Sequence, residues 1–294
     1  MRRFLRSVLV LAILGAALGW WLTAPAPIAA SDIPAREADP LHGEQVFWAA
    51  GCASCHAAPE AEGEDRLILA GGRAFPSDFG TFYAPNISPD PDHGIGGWTE
   101  AEFLSAVMRG VSPGGQHYYP AFPYGTYARA GMADIQDLWA FMQTLPADAT
   151  PSRGHDVGFP FSIRRALGGW KLLFGRTDWV LTGEDLSPEV LRGRYLVESL
   201  GHCGECHTPR NALGGLDYGN WLRGAPNPSG EGRIPGITPD ILGWSAGDIA
   251  NYLNDGFTPE FDSAGGEMVE VIANMARLPA EDRAAIAAYL RALP

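Results

Sequence analysis

The sequence predicts an all-α chain: two tandem helical domains behind an N-terminal membrane anchor or signal segment. Three observations predict it. The pentapeptide C-x-x-C-H occurs twice, as Cys52-Ala53-Ser54-Cys55-His56 and as Cys203-Gly204-Glu205-Cys206-His207, and the two copies use all 4 cysteines. The residues around each copy echo one another over a unit of roughly 105 residues, which marks two domains. A basic start, Met1-Arg2-Arg3-Phe4-Leu5-Arg6, precedes an uncharged apolar run from Ser7 to Ala24.

Residues 1–24 have the build of an export segment. Small residues from Ala26 to Ala30 would suit cleavage. The apolar run is nonetheless long for a signal and just long enough to span a bilayer, with Trp20 and Trp21 where an aromatic belt would lie. The expectation is an uncleaved anchor, its arginines cytoplasmic and the rest of the chain at the periplasmic face of a bacterial inner membrane. The proline-rich residues 25–40 read as a tether. The first domain is expected at 41–146, a linker at 147–187 and the second domain at 188–294. A formal charge of −13 with a pI near 4.9 argues against a nucleic-acid partner.

Each domain opens on a short helix carrying a glycine and an aromatic, suited to a close helix crossing. These are Gly43 to Gly51 and Arg192 to Gly201. Further on, Pro85-Asn86-Ile87-Ser88-Pro89-Asp90 is echoed by Pro235-Gly236-Ile237-Thr238-Pro239-Asp240. Gly97-Trp98-Thr99 opens a helix over Glu100 to Arg109, and Gly243-Trp244-Ser245 opens one over Ala246 to Asn254. The closing helices begin at Asp134 and Ala280 and end at Leu145-Pro146 and Leu293-Pro294, with Ile286, Tyr289 and Leu290 on one stripe of the second. The linker segment Trp170-Lys171-Leu172-Leu173-Phe174 is apolar, so it packs between the domains or faces a partner.

C-x-x-C-H is the attachment pattern of a c-type haem. Two thiols, Cys52 with Cys55 or Cys203 with Cys206, add to the vinyl groups of one porphyrin, and His56 or His207 lies under the iron as proximal ligand. Two such motifs imply two covalently bound haem c groups. A single zinc held by both Cys pairs leaves the histidines without a role, and a thioredoxin-like pair needs a βαβ context that is not visible.

These residues carry a resemblance. Each unit resembles a class I cytochrome c domain. The first resembles more narrowly the membrane-bound multihaem cytochrome c subunits of bacterial periplasmic alcohol, gluconate and aldehyde dehydrogenases. The similarity rests on Phe79 to Asp90, Gly94 to Trp98 and Tyr118-Tyr119-Pro120-Ala121-Phe122-Pro123-Tyr124. Those subunits commonly carry three haems where this chain has two motifs, and methionine where this chain has Phe122.

The resemblance implies a distal thioether. In the second domain it points to Met268, in a glycine-rich loop after Gly265-Gly266, with Met275 as the rival. Counted without gaps from Pro113 and Pro259, Met268 falls opposite Phe122, which cannot bind iron. For the first iron the candidates are Met132, His117 as the alternative, or an open position. Trp98 and Trp244 are candidate haem neighbours, and Arg66, Arg73 and Arg210 candidate propionate partners with solvated side chains as the default.

The implied function is electron transfer from the large subunit of a periplasmic dehydrogenase (of molybdenum, flavin or quinoprotein type) to a quinone or another cytochrome. No acid–base pair or nucleophile constellation accompanies the haem motifs. The rival from another class is a dihaem enzyme such as a peroxidase, motivated by Phe122. A haem-based gas sensor lacks an output domain.

Overall fold

The computed structural model describes residues 1–228 and 232–294. It is mainly helical. Helix α1 (Arg2–Leu22) has 21 residues and no buried side chain. At ~1.5 Å per residue it reaches about 31 Å, the thickness of a bilayer's hydrocarbon core.

The first half of the body contains α2 (Pro40–Ala49), α3 (Cys52–His56), α4 (Glu100–Arg109), α5 (Tyr124–Tyr127) and α6 (Met132–Met142). The connecting segment carries α7 (Leu167–Phe174). The second half contains α8 (Pro188–Tyr195), a π-helical turn at Leu196–Leu200, α9 (Gly204–His207), α10 (Pro239–Leu242), α11 (Ala246–Asp255), α12 (Met268–Met275) and α13 (Ala280–Ala292).

Two small antiparallel hairpins accompany the helices of this mainly α-helical fold. Strand β1 (Ala74–Ser77) pairs with β2 (Gly80–Tyr83), Ala74 opposite Tyr83, and β3 (Ala225–Pro226) pairs with β4 (Arg233–Ile234). The first hairpin turns at Asp78-Phe79, and β2 opens on Gly80, φ +125°, where a Cβ would lie 2.3 Å from the Asp156 carbonyl oxygen. Asp156 of the connecting segment extends it by exchanging two 2.9 Å hydrogen bonds with Thr81.

Each half is built on one close crossing, α2 with α6 and α8 with α13. The glycines set it. A Cβ on Gly43 would lie 2.0 Å from the Asp137 carbonyl oxygen, and one on Gly193 would lie 1.9 Å from that of Ala285. No other residue lets the backbones meet so closely. Carboxylates clasp the same crossings: Asp137 pairs with Arg36 and hydrogen-bonds His42, and Asp282 pairs with Arg192 through two 2.7 Å bonds.

The Thr99 and Ser245 echoes prove to be N-caps of α4 and α11, each closing a capping box with Glu102 or Asp248. Both helices stop at a left-handed glycine, Gly110 and Gly256. One apolar cluster runs through both halves, from Phe47, Leu104 and Leu138 to Val197, Leu253 and Tyr289. The connecting helix α7 is pinned to both halves. Lys171 Nζ donates to the carbonyls of Arg109 (2.6 Å) and Gly110 (2.9 Å), and Trp170 Nε1 donates to that of Leu213 (2.8 Å).

Candidate haem centres

The two C-x-x-C-H motifs are each presented on a short helix, α3 and α9, after a sharp turn. Before Cys52 the turn is made by Gly51 at φ +64°. Before Cys203 it is made by His202 at φ +40°, a conformation that a side chain with a Cβ rarely adopts.

The proximal histidines are held alike. His56 Nδ1 lies 2.9 Å from the Pro85 carbonyl oxygen, and His207 Nδ1 lies 2.8 Å from that of Pro235. A carbonyl only accepts, so each Nδ1 carries the proton. Each Nε2 is then left with its lone pair free for a metal. Burial lowers both imidazole pKa values, which keeps the rings neutral. The backbone of each histidine is also fixed, its carbonyl accepting from Gly71 or Gly224 at 2.7 Å. The fit to a haem iron is therefore built twice, on equivalent atoms.

Gly71 and Gly224 were not among the residues singled out from sequence. Their φ values are +75° and +87°, and a Cβ on Gly71 would meet the Pro85 carbonyl carbon at 2.5 Å. The repeated Leu69-Ala70-Gly71 and Leu222-Arg223-Gly224 was the available signal. Its meaning shows in the backbone: Ile87 N donates to Leu69 O at 3.0 Å and Ile237 N to Leu222 O at 2.8 Å.

Burial pushes the Cys52 and Cys203 thiols up to about 12. Among the described residues no three His, Cys, Asp or Glu side chains converge as a metal-binding group.

The distal candidates fall in different surroundings. Met268 is not in a loop: it is the first residue of α12, half-buried against the core. The helix forms there because Ile272 and Met275 bury one face of it, drawing the chain into a turn immediately after Gly266. Equivalent hydrogen bonds, Tyr118 N to Gly110 O and Ala264 N to Gly256 O, both 2.8 Å, support the ungapped register that sets Phe122 opposite Met268. Phe122 packs among Tyr118, Tyr124 and Tyr127 at ring separations of 5.9 to 6.4 Å. Met132 is half-buried as the first residue of α6. His117 is 3% exposed and lies at the foot of α1, with Nε2 3.0 Å from the Thr23 carbonyl oxygen.

The arginines considered for propionates pair with carboxylates: Arg66 with Glu270, Arg73 with Glu267, Arg210 with Glu205. Trp98 and Trp244 are half-buried beside the core, Trp244 with its ring 5.1 Å from that of Tyr252.

The two motifs meet at a seam between the halves. His202 Nε2 lies 3.3 Å from the Ala50 carbonyl oxygen, and the Tyr127 hydroxyl donates to the same oxygen at 2.7 Å. The His202 ring packs edge-on against Tyr127 at 5.6 Å. Helix α12 closes the seam from the other side. Asn274 bridges Arg66 and Ser54, at 2.7 Å from each.

The cytochrome c family profile matches residues 41–146. Over the whole chain, and 99% of the relative, the sequence is 56% identical to a diheme cytochrome c-type protein of Cereibacter sphaeroides. It is 38% identical to the fructose dehydrogenase cytochrome subunit of Gluconobacter japonicus, over 86% of this chain and 52% of that one. It is 35% identical to the cytochrome c subunit of the quinone-type alcohol dehydrogenase of Gluconobacter oxydans, over 94% of this chain and 60% of that one. The chain thus spans little more than half the length of those two subunits.

Proposed function

Because the chain belongs to the dihaem c-type cytochromes, carrying two covalently bound haem c groups, we propose that it is the electron-transfer partner of a periplasmic dehydrogenase. Electrons from the dehydrogenase's large subunit pass through this chain to a quinone or to another cytochrome of the respiratory chain. The haems supply the one-electron chemistry. The protein supplies attachment, axial ligands and orientation.

The observation that carries this reading is the seam. Both attachment motifs face it, joined through the Ala50 carbonyl, His202 and Tyr127. Two one-electron centres whose attachment motifs meet across one packed seam suit transfer between them.

For the axial set, His56 and His207 are the proximal ligands, Met268 the distal ligand of the second iron and Met132 that of the first. His117 stays the alternative for the first iron: its Nε2 donates to the Thr23 carbonyl, which leaves the buried Nδ1 with its lone pair free. Helix α1 anchors the chain, uncleaved, with the body at the periplasmic face.

Phe122 in the register of Met268 favours one second reading, an open first iron serving a peroxidase-like reaction. Carbon monoxide separates the two. The carrier reading expects both ferrous haems to be low-spin and unreactive, whereas CO binding at one haem with peroxide turnover supports the enzyme. Copurification of the detergent-solubilised holoprotein with a large dehydrogenase subunit tests the partner.

A further inference from the structure

We infer that residues 159–173 form an interfacial foot that seats the body on the phospholipid surface beside α1. This rests on α1 being a membrane anchor and goes beyond it, since an anchor alone leaves the body free to swing on its tether.

The segment is unusual in this chain. Residues 159–173 hold Arg164, Arg165 and Lys171 and no acid, in a protein of net charge −13, with Lys171 turned inward and the two arginines at the end of α1. The same stretch exposes large apolar side chains: Phe159 at 84%, Phe161 at 45%, Ile163 at 47%, Leu172 at 60% and Leu173 at 73%. Basic residues interleaved with exposed aromatic and aliphatic ones suit the headgroup boundary of an anionic bilayer.

What selects lipid as the occupant is continuity with the end of α1. Arg165 donates to the Trp20 carbonyl and its guanidinium stacks over the Trp20 ring at 4.4 Å. The Thr23 carbonyl is held by His117, and a Cβ on Gly168 would sit 2.1 Å from that carbonyl oxygen. The last turn of the anchor is therefore clamped to residues 165–168. Trp20 and Trp21, 67% and 71% exposed, mark the depth at which an aromatic belt meets water. Leu172 stands one helical turn along from Gly168 on the same helix, so the exposed leucines belong to the element clamped to the end of α1. Lys171 points inward, onto the carbonyls of Arg109 and Gly110, and holds α7 to the body.

The experiment uses the full-length holoprotein in nanodiscs of mixed zwitterionic and anionic phospholipid. All 4 native cysteines belong to the haem motifs. Single substitutions Phe161→Cys, Leu172→Cys and Leu173→Cys therefore offer unique sites for a nitroxide label, and the haem spectrum verifies folding. Collisions with oxygen and with a water-soluble nickel chelate report immersion. The expected result is a several-fold rise in the oxygen-to-nickel ratio at these labels in nanodiscs over detergent-free aqueous controls, with a label at Leu41→Cys staying nickel-accessible. Labels at 172 and 173 that remain as nickel-accessible as that at 41 overturn the foot. So does shielding that appears only when a dehydrogenase subunit is added, which makes the surface a protein-docking face. A label at Leu11→Cys reads the anchor separately: if it too is nickel-accessible, the anchor reading has failed rather than the foot alone.

Discussion

At the scale of the residue, the iron sites depend on which nitrogen of each histidine is free. The Pro85 and Pro235 carbonyls fix Nδ1–H and leave Nε2 available. The distal side should respond to single substitutions. Met268→Ala is expected to open the second ferrous haem to carbon monoxide and to lower its reduction potential, because the thioether favours the reduced iron. Met132→Ala should do the same at the first haem, and an unchanged spectrum there would remove Met132 from the ligand set. Gly71→Ala and Gly224→Ala should each cost ~2 kcal/mol or more, from left-handed strain and the clash with the Pro85 or Pro235 segment. Haem content and denaturant unfolding would measure it. The C-x-x-C-H motifs were fully legible in sequence because covalent chemistry dictates their spacing. Gly71 and Gly224 were not, since a need for positive φ and a backbone contact shows only once Pro85 and Pro235 are placed.

At the scale of the element, the crossing of the first and last helix in each half is a backbone contact with a charged clasp. Gly43→Ala and Gly193→Ala should destabilise by similar amounts, about 2–3 kcal/mol each, since their would-be Cβ atoms meet a carbonyl at nearly the same distance. Chemical denaturation of the holoprotein tests this, and a cost below experimental error would refute the close contact. The Asp137 clasp adds a pH dependence. Burial alone would raise its pKa, yet hydrogen bonds from Arg36, the Asp39 amide and His42 hold the carboxyl below its usual range. A carboxyl with a depressed folded pKa contributes stability above the unfolded value, near ~4, and loses it as pH falls toward the folded one. Asp137→Asn should therefore flatten the acid limb of the stability curve relative to wild type. If the acid limb is unchanged, the clasp contributes nothing measurable. The crossing helices could be read from glycine, aromatic and periodicity. The hairpins could not, because strands of two to four residues carry no period and β2 is completed by Asp156 from far along the chain.

At the scale of the whole molecule, the two halves are joined by more than their linker. Arg66 is 7% exposed and reaches Glu270 at 3.0 Å and Asn274 at 2.7 Å. Tyr195 hydrogen-bonds to Asp134 and accepts from the Gly131 amide at 3.0 Å. Calorimetry of the holoprotein is expected to show one cooperative transition. Arg66→Gln combined with Tyr195→Phe should split it into two, and a transition that stays single would mean the apolar seam suffices. None of this was legible beforehand. Arg66 and Asn274 are 208 residues apart in sequence, and a solvated arginine was the reasonable default.

The seam also has a form. Helix α5 of the first half packs on the π-helical turn that ends the opening helix of the second, and α12, its counterpart in the second half, packs on α2 and α3 of the first. Each half offers the other the same pair of surfaces, which is the geometry of a two-fold, isologous dimer. In this sense the chain packs as a homodimer written as a single polypeptide would, with one C-x-x-C-H motif on each side of the seam. A protease nick in the exposed stretch at 151–154 should then leave the halves associated on dilution, with subsequent gel filtration as the check. Phe122 and Met268 hold equivalent positions in the two copies, so the chain can differ there, one copy from the other, while the paired helix surfaces that join them are kept.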